Sequence, residues 1–198
     1  MDPRELETIV QRLVANPHDQ EALAYAHAAG AADPKAYAVL LEKVGAETQD
    51  PAYASHWLAE AAKVWNVALG DAHRAARVLM TAIDKDPTQE AAAEQLAQLY
   101  REKGEHKSLA ALLERRAKAL VPLMQQNAEL RPHVAAMYEE LGRLWTEPPL
   151  ATPRKALEHF RRAIEIDPRS VYAIYGARQL YKEARQWPDA IPLFDMEQ

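Results

Sequence analysis

Cysteine is absent from the 198 residues, which excludes disulfides, thiolate nucleophiles and zinc–thiolate sites. Glycine occurs six times and serine three times (Ser55, Ser108, Ser170), little material for a phosphate-cradling loop or a nucleophile elbow. Neither a G-x-G-x-x-G fingerprint nor a Walker loop occurs, so a nucleotide site lacks its usual scaffold. No apolar run approaches the roughly 18 residues that a membrane-spanning helix needs. The opening Met1-Asp2-Pro3-Arg4-Glu5-Leu6-Glu7 is acidic and helical in character, so no secretory signal is expected. Excess positive charge is missing too. With 24 Lys+Arg against 29 Asp+Glu the net charge is -5, whereas phosphate binding needs a basic footprint. Nucleic acid is therefore not the expected partner.

What is present is helix. At 48% hydrophobic and 27% charged the chain is too apolar for disorder. Apolar residues recur three and four apart, as in Leu6, Ile9, Val10, Leu13 and again in Leu96, Leu99, Tyr100, and no stretch alternates long enough for a strand. Asp2-Pro3, Asn16-Pro17, Asp33-Pro34, Asp50-Pro51, Asp86-Pro87 and Asp167-Pro168 fall between these periodic segments. Proline belongs in the first turn of a helix or beyond its end, and a preceding Asp or Asn can cap the free amides. Gly70 and Gly104 mark tight turns. These signals predict helices over 3–15, 19–30, 34–45, 51–69, 71–85, 88–103, 105–121, 132–146, 153–166, 170–184 and 188–197. Arginine outnumbers lysine fifteen to nine and asparagine occurs three times, the bias of a GC-rich bacterial genome.

The segment Gly70–Pro87 aligns with Thr152–Pro168: a small residue, a large apolar one four later, alanine three after that, then proline five on. Ala36, Ala75, Leu109, Ala156 and Ala190 stand at intervals of 39, 34, 47 and 34 residues, which reads as a repeat with insertions. Tyr138-Glu139-Glu140-Leu141-Gly142-Arg143-Leu144-Trp145, followed by Ala156, Phe160, Ala163 and Pro168, resembles the tetratricopeptide repeat family. The resemblance is good over about 130 residues and thinner at the N-terminus. It implies an all-α fold, an α-solenoid of antiparallel helix pairs with ten to eleven helices, whose inner face binds protein segments. The physics agrees, since a single helix pair cannot bury its apolar face and stacking makes the core. One domain is expected over 1–198, less regular over 1–50, with clearer repeats over 51–198 and an insertion around 118–134 that holds an extended or inserted helix. Such a helix is padding or a docking feature.

Little in the sequence points to catalysis. His18, His27, His56, His73, His106, His133 and His159 include no metal-binding pair four apart. The clusters Arg115-Arg116-Lys118 and Arg161-Arg162 are interleaved with apolar residues and read as solvated helix faces. Tyr53 and Trp57, one turn apart, are candidates for an exposed aromatic pair, with core packing the favoured reading for both. Glu60, Glu94 and Glu139 each lie two residues before the first-helix core residue. The resemblance implies that this position faces the concave groove. There chaperone-binding members hold a partner's carboxylate with basic residues; here these glutamates stand, with Ala24 in the N-terminal unit and Tyr175 in the last. The expected protein is a non-enzymatic, cytoplasmic scaffold or adaptor without cofactor or metal. It binds a protein or peptide, basic segments among the candidates, in its groove through Glu60, Glu94, Glu139, Tyr175, Tyr53 and Trp57, without inserting in a membrane. The alternative is a regulatory domain cut from a larger protein. Ile174, Ala177, Tyr181, Trp187, Ala190 and Phe194 open a last repeat that stops at Gln198, so further repeats or self-association are expected at that end.

Overall fold

The computed structural model describes residues 3–196. The predicted cap Asp2 and the predicted last helical position, 197, lie outside the described residues. Eleven α-helices occur among the described residues: α1 (Pro3–Ala15), α2 (Gln20–Ala32), α3 (Pro34–Glu47), α4 (Pro51–Lys63), α5 (Ala72–Lys85), α6 (Glu90–Glu102), α7 (His106–Leu120), α8 (Leu130–Thr146), α9 (Pro153–Ile166), α10 (Val171–Glu183) and α11 (Trp187–Asp195). No strand occurs among them. The predicted helix over 51–69 ends as α-helix at Lys63 and continues as a π-helical turn, Val64–Ala68. The insertion after α7 is a short 3-10 helix, Val121–Gln125.

The Asp-Pro and Asn-Pro pairs divide into two mechanisms. At Asp33 and Asp50 the carboxylate accepts from the backbone N–H three residues on, Ala36 and Tyr53, both at 3.0 Å, and the proline opens the helix. At Asn16, Asp86 and Asp167 the side chain instead accepts from the N–H two residues on, His18, Thr88 and Arg169. That closes a local turn after the preceding helix, and the next helix begins later than expected, at Gln20, Glu90 and Val171. Gly70 and Gly104 both adopt φ 65°, the left-handed turn where glycine costs nothing.

The chain divides into two compact units, Met1–Leu99 and Tyr100–Gln198, with the boundary inside α6. In the first unit α3 packs against α1, α2 and α4, and α4 against α5. Val10, Leu13, Leu40, Leu41, Val44, Leu79 and Leu96 are its largest fully buried residues. Glu42 on α3 receives the Arg74 guanidinium at 3.1 and 3.3 Å and the Trp65 indole N–H, while Arg74 lies 4.1 Å over the Trp65 ring. The π-helical turn thereby orients Trp65 over the α3–α5 junction.

In the second unit α8 packs against α7, α9 and α10, α9 against α10, and α10 against α11. Small residues make the crossings. Ala156 and Ala163 on α9 are fully buried, as are Ala75 and Ala82 on α5 in the first unit. Phe160 of α9 is wedged between two glycines. A Cβ added at Gly142 of α8 would lie 2.4 Å from Phe160 Cδ1, and one at Gly176 of α10 would lie 2.5 Å from its Cζ. The expected repeat register holds at Ala75, Leu109, Ala156 and Ala190, all buried, but not at Ala36, which is half-buried. Two residues on, Ala38 takes the crossing with zero exposure. Local capping at Asp33 sets where α3 begins; tertiary contact chooses which of its alanines faces inward.

Candidate functional site

The most exposed apolar surface of the second unit is built by α10 and α11. Ile174, Ala177 and Leu180 turn into the core, which at a period of 3.6 leaves Val171, Tyr172 and Tyr175 on the opposite side, one turn apart. Tyr172 is 73% exposed and Tyr175 51%. On α11 only Ala190 is buried, and Trp187, Ile191 and Phe194 stay open three and four residues apart. The Arg178 guanidinium joins the two helices, lying 4.4 Å from the Phe194 ring centroid and 5.1 Å from that of Tyr175. A planar cation between two rings holds them in place. The two helices thereby share an apolar-aromatic face. At the start of α10 the Ser170 hydroxyl, its N-cap, donates to the Glu139 carboxylate of α8 at 3.0 Å.

A second feature of this unit is a cavity of about 570 Å³ among α7, α8 and α9, lined by Glu114, Lys118, Tyr138, Lys155, Glu158, His159, Arg162 and Glu165, with Val121 and Ile166. His159 is buried, stacked on Tyr138 with centroids 6.2 Å apart, and its Nε2 lies 3.4 Å from Glu114. Burial pushes its pKa below the ordinary 6.5, against the opposing pull of Glu114 and Glu158. Burial likewise raises the Tyr138 phenol. Lys118 pairs with Glu114 at 3.8 Å and Arg162 with Glu165 at 2.9 Å; Lys155 stacks 3.9 Å over Trp145. Three cations and three carboxylates face one space, so the cavity selects no ion by sign. Nothing in it matches a nucleophile with its base. Among the described residues no cluster of three or more His, Asp or Glu could hold a metal ion, and no helix is long and apolar enough to cross a membrane.

No family profile matches the chain and no curated protein matches it. Among solved structures it is similar to MamA, at 18% identity over 84% of this chain and 87% of that one, with a TM-score of 0.46. It is similar to pilF of Pseudomonas aeruginosa, at 15% identity over 98% and 77%, TM-score 0.45. A putative kinesin light chain of Podosopora anserina with nearly identical TPR-like repeats is 18% identical over 98% and 92%, TM-score 0.47. The likeness includes one protein described by its TPR-like repeats. At such identities and scores it carries no argument about function or partner, and the repeat-like packing rests on the chain's own helices.

The residues singled out from sequence separate. Trp57 is a correction: at 6% exposure it is core, on the face of α4 that also buries Ala54, Leu58 and Ala61. It therefore forms no exposed pair with Tyr53. Tyr53 is 38% exposed, and its hydroxyl meets His18 Nε2 at 3.0 Å, across the α1–α2 turn of the first unit. Glu60 is held by the Lys63 ammonium on its own helix. Glu94 lies on α6 in the first unit. Glu139 and Tyr175, in the second unit, lie on the packed helices α8 and α10, and Glu139 accepts from Ser170, five residues before Tyr175. Tyr172 and Ile191 are not among the residues the sequence singles out, and Trp187 and Phe194, expected at positions of a last repeat, are exposed. The available signal was the alternation itself: Val171, Tyr172 and Tyr175 fall outside the stripe of Ile174, Ala177 and Leu180.

Proposed function

We propose that this chain is a non-enzymatic protein-interaction module whose binding surface is the α10–α11 face of the second unit. One observation carries the reading: Tyr172, Tyr175, Trp187, Ile191 and Phe194 are all exposed by 42% or more on two adjoining helices. Contiguous exposed apolar surface of this kind marks interaction sites, and Tyr, Trp and Arg are the side chains that carry most binding energy in protein interfaces. Rings held by Arg178 lose little further freedom on binding. Glu139, on the helix α8 that packs against α10, adds negative charge to this unit and favours a partner carrying Lys or Arg beside its apolar contact. Each such exposed pair contributes at most about 1 kcal/mol, so affinity comes from the apolar face and charge sets the salt dependence.

The test is affinity capture with the folded chain and with Tyr175→Ala and Ile191→Glu, both at exposed positions. Partners held by the parent and lost by both variants, with helicity unchanged, are the expected result. Capture that ignores both substitutions refutes the assignment.

A further inference from the structure

The outer charges of α9 form a pattern that is its own complement. Arg154, Glu158, Arg161 and Glu165 are exposed and stand four, three and four residues apart. At about 100° per residue that spacing keeps them within about 60° on one face of the helix. Their signs alternate along it: plus, minus, plus, minus. With Leu157 and Arg162 they line an open cavity of about 410 Å³. Arg162 pairs with Glu165 at 2.9 Å, but the side chains of Arg154, Glu158 and Arg161 make no hydrogen bond or ion pair among the described residues. These three charges face outward without neutralising one another. Reversing the helix direction inverts the order of signs. When two copies of α9 lie antiparallel about a two-fold axis at the level of His159 and Phe160, Arg154 of one copy meets Glu165 of the other, Glu158 meets Arg161, and Leu157 meets Arg162. All six residues that line the cavity are thus exchanged among themselves.

From this self-complementarity we infer that two copies of this chain associate through antiparallel α9 helices into a two-fold dimer. The surface is separate from the α10–α11 face, and the inference does not rest on the reading above. Each ion pair occurs twice, as an isologous interface requires, and the aliphatic stem of Arg162 covers the half-buried Leu157. A partner segment of one sign does not fit, because along the stripe it meets two like charges for two unlike ones. Steering and register come from the alternation itself. The pairs form at exposed positions, where each contributes little, so the dimer is weak and dissociates as salt screens the charges.

The test is the mass of the full chain by light scattering and sedimentation over a range of concentrations, at ionic strengths of about 0.01 M and about 1 M. The parent should rise from monomer toward dimer with concentration at low salt and stay monomeric at high salt. Arg154→Glu with Arg161→Glu makes the stripe wholly negative, and Glu158→Arg with Glu165→Arg makes it wholly positive. Each double variant alone should be monomeric, and an equimolar mixture should restore a dimer with one chain of each kind. Glu158→Gln with Arg161→Gln adds no like charges to the helix; it should keep the parent's circular dichroism and weaken the dimer by about tenfold. Ile191→Glu, on the α10–α11 face, should dimerise as the parent does. A parent that stays monomeric at low salt overturns the inference, as does association that persists in both charge-reversed variants. Folded variants that fail to associate when mixed overturn the antiparallel pairing. Association lost in Ile191→Glu and kept in the charge-reversed variants moves the second copy to α10–α11 and refutes the α9 interface, while partner capture through α10–α11 is judged separately by Tyr175→Ala.

Discussion

Gly176 sits in the middle of α10, where alanine is the better helix former by about 1 kcal/mol. On propensity alone Gly176→Ala stabilises the protein. The structure reverses that sign. The added Cβ would lie 2.5 Å from Phe160 Cζ, 2.6 Å from Cε2 and 2.9 Å from Cε1, and ordinary contact begins near 3.4 Å, so ring and helix must separate by close to an ångström. The ring cannot retreat, because its other edge already lies against Gly142 of α8. Overpacking of a closed core costs about 1–3 kcal/mol, leaving a net loss of up to about 2 kcal/mol after the propensity gain. Leucine at position 160 lacks Cε1, Cε2 and Cζ, the three atoms nearest the new methyl. In a Phe160→Leu background Gly176→Ala should therefore stabilise, by about 0.5–1 kcal/mol. Urea unfolding followed by circular dichroism on the parent, both single variants and the double variant closes the cycle. A coupling of about 1–3 kcal/mol is expected. Gly176→Ala that stabilises both backgrounds equally would show that Phe160 does not fill the space between α8 and α10.

Ala156→Leu inserts three carbons at a site of zero exposure and should lower stability by about 1–3 kcal/mol; a melting temperature within a degree of the parent would refute the register of α9. His159 is held neutral by burial, with a folded-state pKa below 6.5. The unfolded chain therefore binds the extra proton first: stability is fully present above the unfolded pKa and declines as pH falls from about 6.5 through the lower folded value, a slope that His159→Gln should flatten in urea melts between pH 5 and 7.5. Glu42→Ala removes the acceptor shared by Arg74 and the buried Trp65 indole and should cost about 1–3 kcal/mol, read from Trp fluorescence on unfolding. Replacing Glu60, Glu94 and Glu139 together by Gln should leave helicity unchanged and weaken capture of Lys/Arg-bearing segments at low salt; unchanged capture would remove the acidic positions from the interaction.

Much of this protein is legible in its amino-acid sequence, because the determinants are local. Helix starts at Asp33 and Asp50, turns at Gly70 and Gly104, and the inward stripe of Ile174, Ala177 and Leu180 depend on neighbours within four or five residues. The spacing of Ala156, Phe160 and Ala163 likewise announces helix pairs packed through small residues. Other features depend on what lies across space. Ala38 rather than Ala36 meets the neighbouring helix. Trp57, one turn from exposed Tyr53, is core because α4 is buried on several sides, and His159 is buried against Tyr138 although Glu158 precedes it and Arg161 and Arg162 follow. Phe160 and Phe194 make the point most directly. They share the same spacing from a buried alanine, yet one is core and the other is surface. Helical period determines which direction a side chain points; only the presence or absence of a second helix in that direction determines whether it is buried.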